Sequence, residues 1–207
     1  VEDLSECKTI EVLNASANSW GPRNQLAYLH RFGLFEAQVV VLLLNTDDLF
    51  ATAPTSLPVG RDRNYPDRKP PLALVELWQQ KFLPTKTILG MAEVQAEKGD
   101  RVGNNLIAIE QILAIVKQNN ARLILGMTPL LREIGESGSK DYELKARNRL
   151  KAFTETKQIP YVDFLSIFKE SEQPKSLYRD HIHLSPQGNQ LVSDRLSLEI
   201  EGLGIRE

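Results

Sequence analysis

Apolar runs and helical periods alternate along this chain. Thr9-Ile10-Glu11-Val12-Leu13 predicts a short strand and Asn24 to Phe32 a helix. The run QVVVLLL from Gln38 to Leu44 is too continuous for one face of an exposed sheet and predicts a buried strand. A polar, Pro-rich stretch from Ala51 to Pro71 precedes a short helix over Leu72 to Phe82, closed by Pro84. Asn105 to Gln118 places Leu106, Ile107, Ile109, Ile112, Leu113 and Val116 at helical spacing. Arg122 to Met127 predicts the next strand, Tyr142 to Lys157 a charged helix, Ile159 to Phe164 a strand and Ser185 to Ile200 a last helix. The β-α-β-α rhythm predicts a parallel sheet held between helices.

Residues 1–207 are expected to form a single domain, with an insertion or lid at about 51–100. Long connections in such folds form lids or substrate walls, because open α/β sheets bind ligands beyond the carboxyl ends of their strands. The plainer alternative is a surface insertion packed by its own Leu77, Trp78 and Phe82.

Composition narrows the classes. Hydrophobic residues make up 42% and charged residues 25%, globular values that point away from disorder. The net charge of −2 supplies no basic field for nucleic acid. The longest apolar run, Val39 to Leu44, is too short to cross a bilayer. A lone cysteine, Cys7, excludes an internal disulfide. Residue 1 is Val and nothing near it resembles a signal peptide, so the native product is expected to begin upstream.

Candidate chemistry gathers at three places: Asn14-Ala-Ser-Ala-Asn-Ser-Trp-Gly21-Pro22 after the first strand, Asn45-Thr46-Asp47-Asp48 after the second, and Asp180-x-x-His183 before the last helix. Ser185 can cap that helix and Pro186 suits its first turn. A rigid loop there would hold an imidazole beside its carboxylate, two-thirds of a hydrolytic triad. Singly each cluster is a weak signal, since strands often end in Asn or Asp simply to turn.

In this order, the three clusters resemble the motif blocks of the SGNH (GDSL-type) hydrolases, a family of esterases, lipases and carbohydrate acetylesterases or acetyltransferases. The resemblance runs from Thr9 to about Leu198, and the stretch from Asn14 through Leu29 suggests a less-studied bacterial branch. It implies an α/β fold, a flavodoxin-like three-layer α/β/α sandwich with a mainly parallel sheet. It also implies His183 as general base, Asp180 as its orienting carboxylate, and oxyanion or substrate contacts from Ser19, Gly21 and Asp47. No cofactor or metal is implied. The expected substrate is a small-molecule or polysaccharide ester, and the resemblance leans towards an extracytoplasmic location.

Two departures shape this expectation. The family's Gly-Asp-Ser nucleophile block is missing; Gly135-Glu136-Ser137-Gly138 lies after the wrong strand and reads as a surface loop. The family's oxyanion Asn is Asp47 here, an anion that would repel developing charge. A raised pKa, an orientation away from the oxyanion, or lost activity would each account for it. The missing block also carries the strand that a flavodoxin-like sheet places in its middle. Its absence would open two edges inside a buried sheet. An upstream segment bearing that strand and the serine is therefore expected, unless Thr9–Leu13 pairs directly with Gln38–Leu44.

Three further features have plain readings. Asp180, His181 and His183 form a local cluster, but no fourth ligand assembles around it, His30 lying in a predicted helix. Trp20, Trp78 and the cations Arg61, Arg63, Arg68 and Lys69 would suit an acidic sugar surface, or else are core tryptophans and a solvated loop. The rivals to an esterase are a polysaccharide O-acyltransferase and an inactive binding module.

Overall fold

The structure is a computed structural model that describes residues 11–62, 65–82 and 87–204. The described residues fall into two compact units, one within Val1–Ala51 and Asp100–Glu207, the other within Thr52–Gly99.

The larger unit holds a parallel three-stranded sheet in the order β1 (Val39–Asn45), β2 (Arg122–Thr128), β3 (Tyr161–Asp163). Strand β1 pairs with β2 along its whole length, from Val39 opposite Arg122 to Asn45 opposite Thr128. Side chains alternate across a strand, so the two faces of β2 feed two cores. Leu123, Leu125 and Met127 join Leu42, Leu44, Ile109, Ile112 and Leu150 on one face. Ile124 joins Phe164, Phe168, Val192 and Leu196 on the other. The first core is covered by α1 (Pro22–Phe32), α4 (Arg101–Gln118) and α5 (Asp141–Lys157), the second by α6 (Phe164–Lys169) and α7 (Pro186–Gly202). Helices thus lie on both faces of the sheet.

Local chemistry explains the helix limits. Asp100 starts α4 by accepting the Gly103 N–H, and Asp163 starts α6 by accepting the Leu165 N–H. Ser185 Oγ accepts the Gly188 N–H and Pro186 fills the first position of α7, as the sequence predicts.

Three expectations need correction. The strand over Thr9–Leu13 is not seen: Glu11 to Leu13 carry no strand and Val12 is 86% exposed, while Thr9 and Ile10 lie outside the described residues. β1 is not buried throughout. Leu42 and Leu44 are, but Val41 and Leu43, on the other face, are 38% and 42% exposed. The run is continuous in sequence, yet β1 is an edge strand among the described residues, and its second face is only partly covered there. Finally, β3 stops at Asp163, because that carboxylate caps a helix where a strand through Phe164 was expected.

The smaller unit contains α2 (Ala73–Phe82) and α3 (Met91–Gln95). Its Leu77, Trp78 and Phe82 do not pack an interior; all three are exposed, with the Trp78 and Phe82 rings 6.4 Å apart. Arg61, Arg68 and Lys69 are exposed in the same unit, and Arg63 lies outside the described residues. No helix among the described residues is long and apolar enough to cross a membrane.

Candidate active site

The segment between the short 3-10 turn Pro174–Leu177 and α7 is a closed loop. Tyr178 and Leu184 form an antiparallel bridge, the Arg179 N–H donates to the His183 carbonyl at 2.8 Å, and the Ser185 N–H donates to the Leu177 carbonyl at 2.9 Å. Gly188 is required where α7 meets this loop: a Cβ there would stand 2.1 Å from the Leu177 carbonyl oxygen.

Inside the loop, Asp180 organises the backbone and the imidazole together. Its Oδ1 accepts the Ile182 N–H at 3.0 Å and the His183 N–H at 2.8 Å. Its Oδ2 lies 2.8 Å from His183 Nδ1. The backbone N–H of His183, that of Ile182 and the His183 ring hold the Asp180 carboxyl well below the usual carboxylate range. An ionised Asp180 requires the proton on Nδ1 in the neutral ring, which leaves Nε2 as the acceptor. The His183 side chain is 59% exposed, open to a reacting partner. His181 points elsewhere: its side chain is 88% exposed and its Nδ1 is 3.9 Å from Asp180 Oδ1. No group of three or more His, Cys, Asp or Glu placed to hold a metal occurs among the described residues.

The loop is fastened to the carboxyl end of the sheet. The Leu131 N–H donates to the His181 carbonyl at 3.1 Å, and the Tyr178 hydroxyl donates to the Pro129 carbonyl. Burial pushes the Tyr178 hydroxyl up, so it stays a donor. Thr128 Oγ1 in turn donates to the Leu44 carbonyl, joining the ends of β2 and β1.

Beyond β1 the chain makes a 3-10 turn, Thr46–Phe50, capped by Asn45, whose side chain accepts the Asp47 and Asp48 N–H groups. Asp48 Oδ2 accepts the Asn45 N–H at 2.8 Å. Burial pushes the Asp48 carboxyl up to about 6, opposed by that N–H and reinforced by the Asp47 charge. Asp47 itself is exposed and, with His181, lines a cavity of about 880 Å3.

Of the predicted site residues only Asp47 lines this cavity; Ser19, Gly21, Asp180 and His183 do not, and the Asp180–His183 loop borders it through His181. Ser19 is exposed in the left-handed region, φ 63°. The Gly21 N–H donates to Asn24 Oδ1 at 3.4 Å, which leaves it poorly placed to donate elsewhere. Gly21 is needed sterically, since a Cβ there would lie 2.3 Å from the Ala51 Cβ. Asn45–Asp48 and the Asp180–His183 loop therefore border one region. The Asn14–Gly21 turn meets the end of the Thr46–Phe50 turn.

Sequence reasoning missed a buried polar network beneath the site. Glu133 is fully buried and accepts hydrogen bonds from Thr46 Oγ1, the Leu130 N–H, Ser139 Oγ and Arg147 Nη2. Arg147 also donates to Thr46 Oγ1 at 2.9 Å and to Asp163. The network ties the turn after β1, the loop after β2, the cap of α6 and helix α5 together. A signal existed: Glu143, Ala146, Arg147, Leu150 and Thr154 form one helical stripe, with charges at core positions.

A parallel sheet with helices on both faces makes this an α/β protein, and the carboxylate–imidazole pair stands beyond its strand ends, where open sheets of this class generally bind ligands. The family model described as GDSL-like Lipase/Acylhydrolase matches residues 3–191. The chain belongs to the GDSL-like lipase/acylhydrolase family. Among solved structures it is similar to a putative acylhydrolase from Bacteroides fragilis NCTC 9343, at 18% identity over 87% of this chain and 94% of that chain, with a TM-score of 0.43. No curated protein matches.

Proposed function

We propose that this protein hydrolyses an acyl ester, with His183 as general base and acid and Asp180 as the carboxylate that orients it. The observation that carries the reading is the bidentate role of Asp180: one oxygen fixes the loop backbone and the other fixes the ring at 2.8 Å. In the reaction a serine Oγ attacks the ester carbonyl while His183 Nε2 takes its proton. The proton then goes to the leaving alkoxide, and water releases the acyl group by the same path in reverse. Asp180 stays ionised and steadies the imidazolium.

We assign the serine to a further parallel strand on the edge of β1 that has no strand partner among the described residues. This assignment is supported by the exposure of Val41 and Leu43 on an edge that carries no charge, proline or bulge from Val39 to Leu44. Among the described serines, Ser137 Oγ donates to the Arg132 carbonyl and Ser185 Oγ donates to the Ser176 carbonyl while capping α7, so both are engaged elsewhere. The Ser19 turn is the better candidate for an oxyanion N–H, since the Gly21 N–H already meets Asn24. An O-acyl carbohydrate is the finer substrate class that the family resemblance favours.

The test is the intact mass of the full natural chain before and after a fluorophosphonate probe, in wild type and His183→Ala. One adduct in wild type and none in the variant is the expected result. No adduct and no ester turnover in the wild type would make this an inactive binding module. Acyl transfer to a sugar acceptor in preference to water would redirect the reading to an O-acyltransferase.

A further inference from the structure

The cavity bordered by Asp47 and His181 carries a charge pattern that ester hydrolysis itself does not require. Its volume of about 880 Å3 lies in the range of sites that bury a small organic ligand. Leu130, Leu131, Ile134 and Pro174 give it an apolar lining. Three cations border it: Arg132, Lys140 and Lys175.

These cations are not equivalent. Both terminal nitrogens of Arg132 donate to Glu143, so its charge is already matched. Neither Lys140 nor Lys175 forms an ion pair among the described residues. Lys140 instead holds its Nζ 5.7 Å from the centre of the Tyr142 ring, another lining residue. The two amines come from different elements, Lys140 just ahead of α5 and Lys175 in the turn before the Asp180–His183 loop. Asp47 is the one carboxylate among the lining residues. Lys140 and Lys175 are both exposed, so water solvates them when no ligand is bound. A ligand with an apolar stem and an anionic group gains two surface ion pairs that a neutral acyl chain does not.

We infer that the cavity receives the non-reacting arm of the ester, and that this arm is apolar and bears an anion that pairs with Lys140 and Lys175. The inference rests on the catalytic reading of the Asp180–His183 pair for the word ester, but not for the anion site. Short neutral esters would then be poor substrates, because they fill neither the apolar lining nor the amines.

Binding and turnover test the two parts separately. The full chain is titrated at low salt with 5-phenylvalerate, 4-phenylbutyl phosphate and neutral 5-phenylpentanol. At least one anion is expected to bind about tenfold more tightly than the alcohol, the scale of two exposed ion pairs. Which of the two leads tells a carboxylate from a phosphate arm. Added salt and the Lys140→Gln/Lys175→Gln double variant should both erase the difference, with each single variant intermediate and a thermal melt confirming the fold. Equal affinity for anions and alcohol, or a preference that survives the double substitution, would overturn the site. Turnover is then compared for 4-nitrophenyl hydrogen glutarate and 4-nitrophenyl valerate, the first expected to show the lower KM. If neither ester turns over while the anion preference stands, only the catalytic reading fails. If both turn over equally and no preference exists, only the anion site fails.

Discussion

The N–H of Leu131 donates to the carbonyl of His181 at 3.1 Å, so the chain two residues before the candidate general base hangs from the loop that leaves β2. A second tie runs alongside it, from the Tyr178 hydroxyl to the Pro129 carbonyl. The imidazole of His183 is thereby referred to the sheet, although it stands on an irregular loop. Precision on a loop needs such supports, because catalytic geometry tolerates little slack.

Tyr178→Phe removes one of these ties without changing the ring packing against Phe168, whose centroid lies 5.7 Å away. The Pro129 carbonyl loses its donor inside the protein. We expect a loss of about 1–3 kcal/mol in urea unfolding, with kcat falling more than KM rises. An unchanged unfolding midpoint would show that the hydroxyl does not anchor the loop.

Asp180→Asn keeps an acceptor oxygen for the Ile182 and His183 N–H groups, so the loop should persist. The negative charge that selects the Nδ1–H tautomer is lost. The expected result is a fall in kcat of about 10³–10⁴-fold, by analogy with the same change in a serine hydrolase triad. A small fall in melting temperature should accompany it, because the loop N–H groups favour the ionised carboxylate. In the wild type the carboxyl is held low, so this control should fail only as the pH falls below the ordinary carboxylate range.

Arg147→Met strips the cation from Glu133 and Asp163, leaving a fully buried carboxylate unmatched. We expect a loss of about 3–5 kcal/mol in chemical denaturation. The double variant Glu133→Leu/Arg147→Met should recover part of that, because the stranded charge is gone as well. A double variant no more stable than Arg147→Met would contradict this account of the network.

Asp48 sets a pH dependence of stability. Its folded pKa of about 6 lies above the unfolded carboxylate value, so the folded protein binds more protons between the two. Stability should therefore fall as pH rises through that window, by up to about 3 kcal/mol for this group. Asp48→Asn removes the ionisation while keeping an acceptor for the Asn45 N–H. Unfolding curves from pH 4 to 8 should show a shallower decline in the variant and greater stability at pH 7.5.

Much of the candidate site's geometry was legible because it is local. Asp180 and His183 are three residues apart, Ser185 and Pro186 announce the next helix, and the bonds joining them span one loop. Short-range hydrogen bonding leaves its mark in spacing, so the sequence alone determined the carboxylate–imidazole pair. The same holds for α4, written in apolar period, and for the strands β1 and β2, written as continuous apolar runs. What only the tertiary structure decided depends on which surfaces meet. The run Val39–Leu44 has the same apolar look at every position, yet Leu44 is 1% exposed and Leu43 is 42%, because the core closes over the first side chain and only partly over the second. Glu133, Glu143 and Arg147 look like solvated charges until distant partners enclose them. The lift of Asp48 towards 6 comes from burial, the charge of Arg132 is matched because Glu143 meets it, and the cavity exists only where three separate segments converge. Burial and desolvation are properties of the assembled neighbourhood, and residue order carries them only where the neighbours are also adjacent in the chain.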